Sequence, residues 1–220
     1  MKKKLDSESF LIWGILILGL FINPAIEAAD GENRHIDEKV ASFLDSHKDR
    51  WVDWNVPAAD GKVLYDLIIR NQYKRAVEIG TSTGHSAIWM AWALSKTGGK
   101  LITIEIDEDR YRQALANFAA AGLSDFIDAR LADAHELVME LQGPFDFVFS
   151  DADKEWYKNY FTALAPKLAV GGCFTAHNVT SGFGSGTTEF LEYVQSRPDF
   201  KTEINAASPA GISISCKLSK

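Results

Sequence analysis

From Ala76 onward, short apolar runs alternate with amphipathic stretches, and this alternation constrains the fold more than any other feature of the chain. Strands are predicted at 76–79, 101–106, 126–131, 145–150 and 173–177, with helices between them at 109–121, 134–141 and 155–168. Repeated strand–helix units require crossover connections, so the strands form a parallel sheet with helices covering both faces, a doubly wound α/β architecture. Gly122, Gly143-Pro144 and Gly171-Gly172 fall where those helices are expected to stop. The end of the chain differs. After a helix at 187–196, strand-like runs at 200–205 and 211–218 are joined by 206–210, which contains Pro209, and read as an antiparallel hairpin closing the sheet. Ahead of the first strand, Ile36, Val40, Phe43, Leu44, His47 and Trp51, and then Val63, Leu64, Leu67 and Ile68, recur at helical spacing and predict two helices.

In an open sheet of this kind a ligand sits at the carboxyl ends of the strands. Those ends carry Glu78 and Gly80, Glu105 and Asp107, Asp133, Asp151 and Asp153, and His177 and Asn178. The first strand runs into RAVEIGTSTGHS, whose Gly80 and Gly84 let backbone approach a ligand before a helix whose free N–H groups face it. The spacing differs from the three-glycine fingerprint of dinucleotide folds, and a ligand-free strand–turn–helix corner is the alternative. Glu105 stands where a carboxylate accepts both hydroxyl hydrogens of a ribose. Asp107 reads equally as the cap of the next helix, and Asp133 either accepts from an adenine amino group or caps the helix at 134–141.

The chain has 220 residues, 46% of them hydrophobic, which suits one domain with a proper core. A formal net charge of −7, with no Lys/Arg cluster after residue 4, argues against a nucleic-acid partner and for a small-molecule one. Residues 1–28 are a separate object: Lys2, Lys3 and Lys4, thirteen apolar or glycine residues from Phe10 to Ile22, Pro24, and Ile26-Glu27-Ala28. That pattern predicts a signal peptide, or an N-terminal anchor if uncleaved, with residues 29–220 as the single domain. Removing it takes three lysines and three acids, so the charge stays at −7. Cys173 and Cys216 each lie in a predicted strand and are expected to be buried thiols, a bridge forming only if the two strands are neighbours.

Taken together, Asn55-Val56, VEIGTSTGHS, LITIEID, and DADKEWY followed by HNV resemble class I S-adenosylmethionine-dependent O-methyltransferases. The likeness, from about Trp51 to Lys217, is to the cation-dependent group that includes catechol and caffeoyl-coenzyme A O-methyltransferases. It implies a Rossmann-like fold, S-adenosylmethionine as methyl donor, a small catechol-like aromatic acceptor, a divalent metal, and pairing of two chains as in many members. Carried onto this sequence, the donor would be held by Asn55, Val56, Glu78, Gly80, Thr81, Ser82, Gly84, Ser86, Glu105, Ile106, Asp133, Ala134 and Asp151. Asp151 and Asn178 would ligate the metal, and Lys154 would be the general base. Trp156, Tyr157 and Phe183 could wall an aromatic acceptor under a glycine-rich lip at 181–186, with core packing and a plain loop as the alternatives.

Two departures stand out. The family places Asp immediately before that Asn, where this chain has His177; the set Asp151, His177, Asn178 carries one negative charge fewer and suits zinc, manganese or iron better than magnesium. Alternatively His177 only hydrogen-bonds. Ser213 stands where the animal catechol enzymes have a substrate-orienting glutamate. A catalytically silent binder of the same nucleoside, or an NAD-dependent oxidoreductase, are the competing functional readings. A donor made in the cytoplasm and an export segment also pull apart, and three arrangements reconcile them: export to periplasm or medium, anchoring, or a cytoplasmic protein that begins near Asp30.

Overall fold

The computed structural model describes residues 24–180 and 184–219. Predicted features at 1–23, the basic and apolar segment, and at Phe183 lie outside the described residues. Helices α1 (Pro24–His47) and α2 (Ala58–Asn71) precede β1 (Arg75–Ile79), α3 (His85–Thr97), β2 (Lys100–Glu105), α4 (Glu108–Ala121) and β3 (Ile127–Leu131). Then follow α5 (Ala134–Glu140), β4 (Phe145–Ser150), α6 (Tyr157–Leu164), β5 (Leu168–His177), α7 (Ser185–Gln195), β6 (Phe200–Asn205) and β7 (Ile212–Lys217). Among the described residues no helix is long and apolar enough to cross a membrane.

The seven strands form one sheet in the order β3-β2-β1-β4-β5-β7-β6. The first five are parallel; β7 runs antiparallel to β5, and β6 antiparallel to β7, so the sequence-derived topology holds. Chain order reverses between β1 and β4, and the carboxyl ends of these neighbours make the crevice where such folds bind ligands. Alternate strand residues feed two cores. Ala76, Leu101, Phe147 and Phe149 pack with α1 to α4 on one face, and Val77, Ile104, Val148 and Phe174 with α5 to α7 on the other.

Three local expectations are corrected. The helix expected at 155–168 is a 3-10 turn at Lys154–Trp156, then α6, then a second 3-10 turn at Ala165–Lys167. Pro166 lacks the N–H an α-helix would need and disfavours helical backbone before it. Gly171 and Gly172 do not end a helix but lie within β5, where the pairing with β4 shifts register between Phe145 and Phe147. Gly171 has φ of 83°, and a Cβ on Gly172 would lie 2.8 Å from the Asp146 carbonyl oxygen, so the irregular stretch requires glycine.

The third concerns the cysteines. Cys173 and Cys216 face each other in the β5–β7 register and form a disulfide, not two thiols. Their strands are 43 residues apart in sequence and adjacent only because the terminal hairpin returns antiparallel beside β5. The Tyr73 hydroxyl lies 3.0 Å from Cys173 Sγ and donates to the Gly171 carbonyl, covering the buried Cys173 side of the bridge.

One carboxyl group is wholly internal. Glu78 in β1 is fully buried and accepts from the Ser86 hydroxyl (2.5 Å) and the Thr103 hydroxyl (2.5 Å). Burial raises its pKa, the two hydroxyl donors offset part of the rise, and the charges of Asp151 and Glu105 add to it, leaving about 8.

Two outcomes follow from these buried groups. Replacing both cysteines by alanine should lower the free energy of unfolding by about 2–4 kcal/mol, read from urea denaturation, and an unchanged midpoint would mean the bridge constrains nothing. Because the folded pKa of Glu78 lies above its ordinary 4.5, its contribution is full below that value and is lost as pH rises through about 8. Glu78→Gln, uncharged throughout, should therefore gain in Tm relative to the parent between about pH 5 and about pH 9, and a constant difference would refute the assignment.

Candidate active site

The β1–α3 loop is built from three left-handed residues, Gly80 (φ 95°), Ser82 (φ 49°) and Gly84 (φ 99°). At Gly80 the crowding neighbour is the protein itself: a Cβ would lie 2.8 Å from the Asp151 carbonyl oxygen, and the Asp151 amide bonds to Ile79. A Cβ at Gly84 would meet the Phe118 ring at 2.5 Å. The loop hangs from β2, with the amides of Gly80 and Thr81 donating to the Ile104 carbonyl and that of Ser82 to Glu105 Oε2 at 2.7 Å.

Glu105, almost fully buried, also accepts from the amides of Ile106 (3.1 Å) and Asp107 (3.0 Å) through Oε1. Three backbone amides thus fix the carboxylate, two on Oε1 and one on Oε2, and the freest acceptor capacity is on Oε2. Asp107 is a cap: Oδ1 accepts from the amides of Asp109 and Arg110 at the start of α4. Asp133 likewise caps α5 by accepting from the His135 amide at 2.8 Å, and it also faces the cleft.

A cleft of about 720 Å³ runs along the carboxyl edge of the sheet. Of the residues expected at the site, it brings together Asn55, Gly80, Ser82, Glu105, Ile106, Asp133, Ala134, Asp151, Lys154, His177 and Asn178. Val56, Glu78, Thr81, Gly84 and Ser86 do not line it. Glu78 and Ser86 bond to each other beneath the loop, the Thr81 hydroxyl pairs with that of Thr103, and the Val56 carbonyl holds His85 Nδ1 at 2.8 Å. These residues shape the loop from below.

Other lining residues escape sequence reasoning. Trp54, 81% exposed, adds apolar surface at the mouth to that of the expected Ile106. Arg110 grips Asp53 with two hydrogen bonds (2.9 and 3.1 Å), while the Asp53 carbonyl accepts from Asn55 and Ser82. His135 and Tyr160 line the cleft, with the His135 ring tilted against Trp156 at a centroid distance of 4.0 Å; Trp156 itself, expected as a wall, packs behind them and does not line it. The capping position of Asp133 hints at His135; nothing in the local sequence pairs Asp53 with Arg110. Tyr157 does not wall the cleft: it is fully buried, and its hydroxyl donates to the His177 carbonyl at 3.0 Å. Ser213 is buried opposite Ala176 in the β5–β7 pairing.

At the other end of the cleft lie alternating charges. Lys154 Nζ is 2.6 Å from Asp151 Oδ1, and His177 Nδ1 is 3.1 Å from Asp151 Oδ2. His177 Nε2 is 2.8 Å from Oδ2 of Asp60, a residue in the first turn of α2 that sequence reasoning missed, and the Ser208 hydroxyl donates to the same oxygen at 2.6 Å. Burial pulls the His177 pKa down, but the hydrogen bonds and charges of Asp151 and Asp60 outweigh it and raise the pKa to about 9.

As placed, Asp151, His177 and Asn178 do not fit a divalent cation. An imidazole ligates through a bare lone pair, and here each ring nitrogen faces a carboxylate that can only accept. Both oxygens of Asp151 are already taken by cationic donors. Among the described residues no group of three His, Cys, Asp or Glu side chains has a metal-holding arrangement.

Known proteins share this architecture. A family model described as O-methyltransferase matches residues 30–189. Caffeoyl-CoA O-methyltransferase 1 of Eucalyptus globulus is 33% identical over 168 residues, covering 71% of this chain and 68% of that protein. A catechol O-methyltransferase of Niastella koreensis is 40% identical over 129 residues, covering 57% and 58%. Among solved structures, the O-methyltransferase TomG from Streptomyces achromogenes, in complex with SAM, superposes with a TM-score of 0.68 at 27% identity over 83% of this chain and 90% of that one. The O-methyltransferase from Bacillus cereus in complex with SAH shares the fold, with a TM-score of 0.70 at 22% identity over 91% and 93%. With the family model spanning most of its length and such relatives aligned along it, the chain belongs to the O-methyltransferase family.

Proposed function

We propose that this chain moves a methyl group from S-adenosylmethionine to a hydroxyl oxygen of a small, catechol-like aromatic acceptor. The observation that carries the reading is the continuity of one cleft, from the amide-fixed carboxylate of Glu105 past the Gly80 loop to Lys154 and Asp151. When bound, S-adenosylmethionine supplies a methyl on a positively charged sulfonium, which leaves for the acceptor oxygen as a neutral thioether remains. Glu105 takes a ribose hydroxyl. Asp133, His135 and Tyr160 form the wall for the base, and Trp54 and Ile106 cover the mouth.

Lys154 lies at the acceptor end. In its neutral form it takes the proton of the acceptor hydroxyl, and Asp151 Oδ1, 2.6 Å from Nζ, holds the ammonium that results. Positioning does much of the remaining work, since the displacement requires oxygen and methyl in line at close range. The catechol-like acceptor is supported by the caffeoyl-CoA and catechol relatives.

The disulfide and the segment at 1–28 together favour an oxidising setting, exported or held at a membrane by its N-terminus. Calorimetric titration of the protein with S-adenosylhomocysteine should give micromolar binding, with silence for NAD; the reverse pattern would replace methyl transfer by oxidoreduction. Glu105→Ala should weaken that binding by about tenfold or more, as expected for a lost charge-assisted hydrogen bond. Lys154→Ala should leave it within about threefold while lowering kcat on catechol by about 10²-fold or more, and an unaffected kcat would remove Lys154 from the chemistry.

A further inference from the structure

His177 follows Ala176, whose β5 register partner is Ser150, so the ends of β4 and β5 set the imidazole beside Asp151. Its far nitrogen meets Asp60, fully buried in the first turn of α2 and 117 positions away in sequence. Ionised carboxylates only accept hydrogen bonds, so between ionised Asp151 at 3.1 Å and ionised Asp60 at 2.8 Å the ring has no bare lone pair to offer and donates from both nitrogens as an imidazolium. The row Asp60, His177, Asp151, Lys154 therefore alternates negative, positive, negative, positive and sums to zero.

Such a row leaves no role for a further cation. A divalent ion at Asp151 would have to displace Lys154 and sit beside an imidazolium in a poorly solvated pocket, where like charges repel strongly. Asp60 is what makes the arrangement permanent. One of its oxygens has no partner among the described residues, and the other takes both Ser208 and His177, so the buried carboxylate depends on the imidazolium for its compensation.

Resting on the methyl-transfer reading above, we propose that His177, clamped between Asp60 and Asp151, stands in place of a divalent cation, so that this enzyme works without metal. Asp60 is the positioning residue of the clamp, with Ser208 behind it. The positive charge at the acceptor end is thus supplied by the protein at half the strength of a divalent ion. Lys154 takes the acceptor proton only after giving its own to solvent, and the row sums to zero again once the acceptor proton has reached Nζ beside Asp151.

The test is Mn²⁺ uptake followed by electron paramagnetic resonance, with S-adenosylhomocysteine binding measured on the same samples. The wild-type protein should take up no Mn²⁺ to about 1 mM. The double variant Asp60→Asn/His177→Asp removes the imidazolium, adds a carboxylate beside Asn178 and spares the molecule an uncompensated Asp60. It should bind Mn²⁺ at least about tenfold more tightly than wild type. Uptake by wild type that disappears in Asp151→Asn would overturn the proposal. So would a double variant that binds S-adenosylhomocysteine normally but no Mn²⁺; if that variant failed to fold, the wild-type arm would decide alone. Loss of S-adenosylhomocysteine binding by wild type would instead count against methyl transfer itself.

The role of Asp60 has its own readout. In ¹⁵N-histidine-labelled protein at about pH 8, where a free imidazole is neutral, the His177 resonances should be those of a doubly protonated ring, assigned by their loss in His177→Gln. Asp60→Asn should shift them toward a neutral ring, and an unchanged signature would show that Asp60 does not set the state of His177.

Discussion

A buried carboxylate with one charged partner is the constraint on which the acceptor end of this molecule depends. Asp60 cannot be solvated where it lies, and leaving it unpaired would be strongly destabilising, so His177 and Ser208 must converge on it. That convergence ties four segments together: the N-terminus of α2, the end of β4 through Asp151, the end of β5, and the β6–β7 connection. A carboxylate in the first turn of a helix is also favoured by the free amides there, so α2 contributes to holding the charge that it delivers. The antiparallel hairpin then does more than finish the sheet, since it brings Ser208 over the site and Cys216 against Cys173.

The loop after β1 shows a second use of close approach. Its glycines suggest a backbone open to a ligand, yet at Gly80 the closest neighbour is the backbone of Asp151. Seating β4 this tightly against β1 puts the carboxyl ends of both strands at one level, and Glu105 is fixed to the same loop by the Ser82 amide. Glu78, which reads as a ligand contact, sits below and braces the loop through Ser86. Placement of the cleft residues thus comes from hydrogen bonds among the ends of β1, β2 and β4, before any ligand is considered.

What could be read from the residues follows from how local each signal is. Strand–helix alternation depends on neighbours a few positions apart, and it yielded the sheet, its parallel core and its closing hairpin. Polar residues at strand ends announced Glu105, Asp151 and His177 as cleft residues because every parallel strand delivers its end to the same edge, whereas Lys154 came from the family resemblance. Asp60 was invisible, since an acid in a first helical turn looks like an ordinary one until a partner 117 residues away is placed beside it. The same holds for Asp53 with Arg110, 57 residues apart, and for the two cysteines. Where a local signal misled, as in extending a helix through Pro166 to Leu168, a strand had started earlier than its apolar run suggested because glycines sit inside it.

Electrostatics divide the cleft into two unlike halves. Toward Glu105 the lining acids Glu105, Asp133 and Asp153 face few free cations, because Arg110 is committed to Asp53. Toward Asp151 the charges cancel within the row ending at Lys154. On the methyl-transfer reading this division has a direct use. A donor carrying a sulfonium is drawn to the acidic half, with the net charge of −7 adding to the attraction. An acceptor that loses a proton and develops negative charge on oxygen meets the half where the acids are already neutralised and two cations are held in place. Had His177 been a third uncompensated acid there, the developing oxyanion would need an added cation; with an imidazolium fixed by Asp60, the chain carries that positive charge in its own covalent structure.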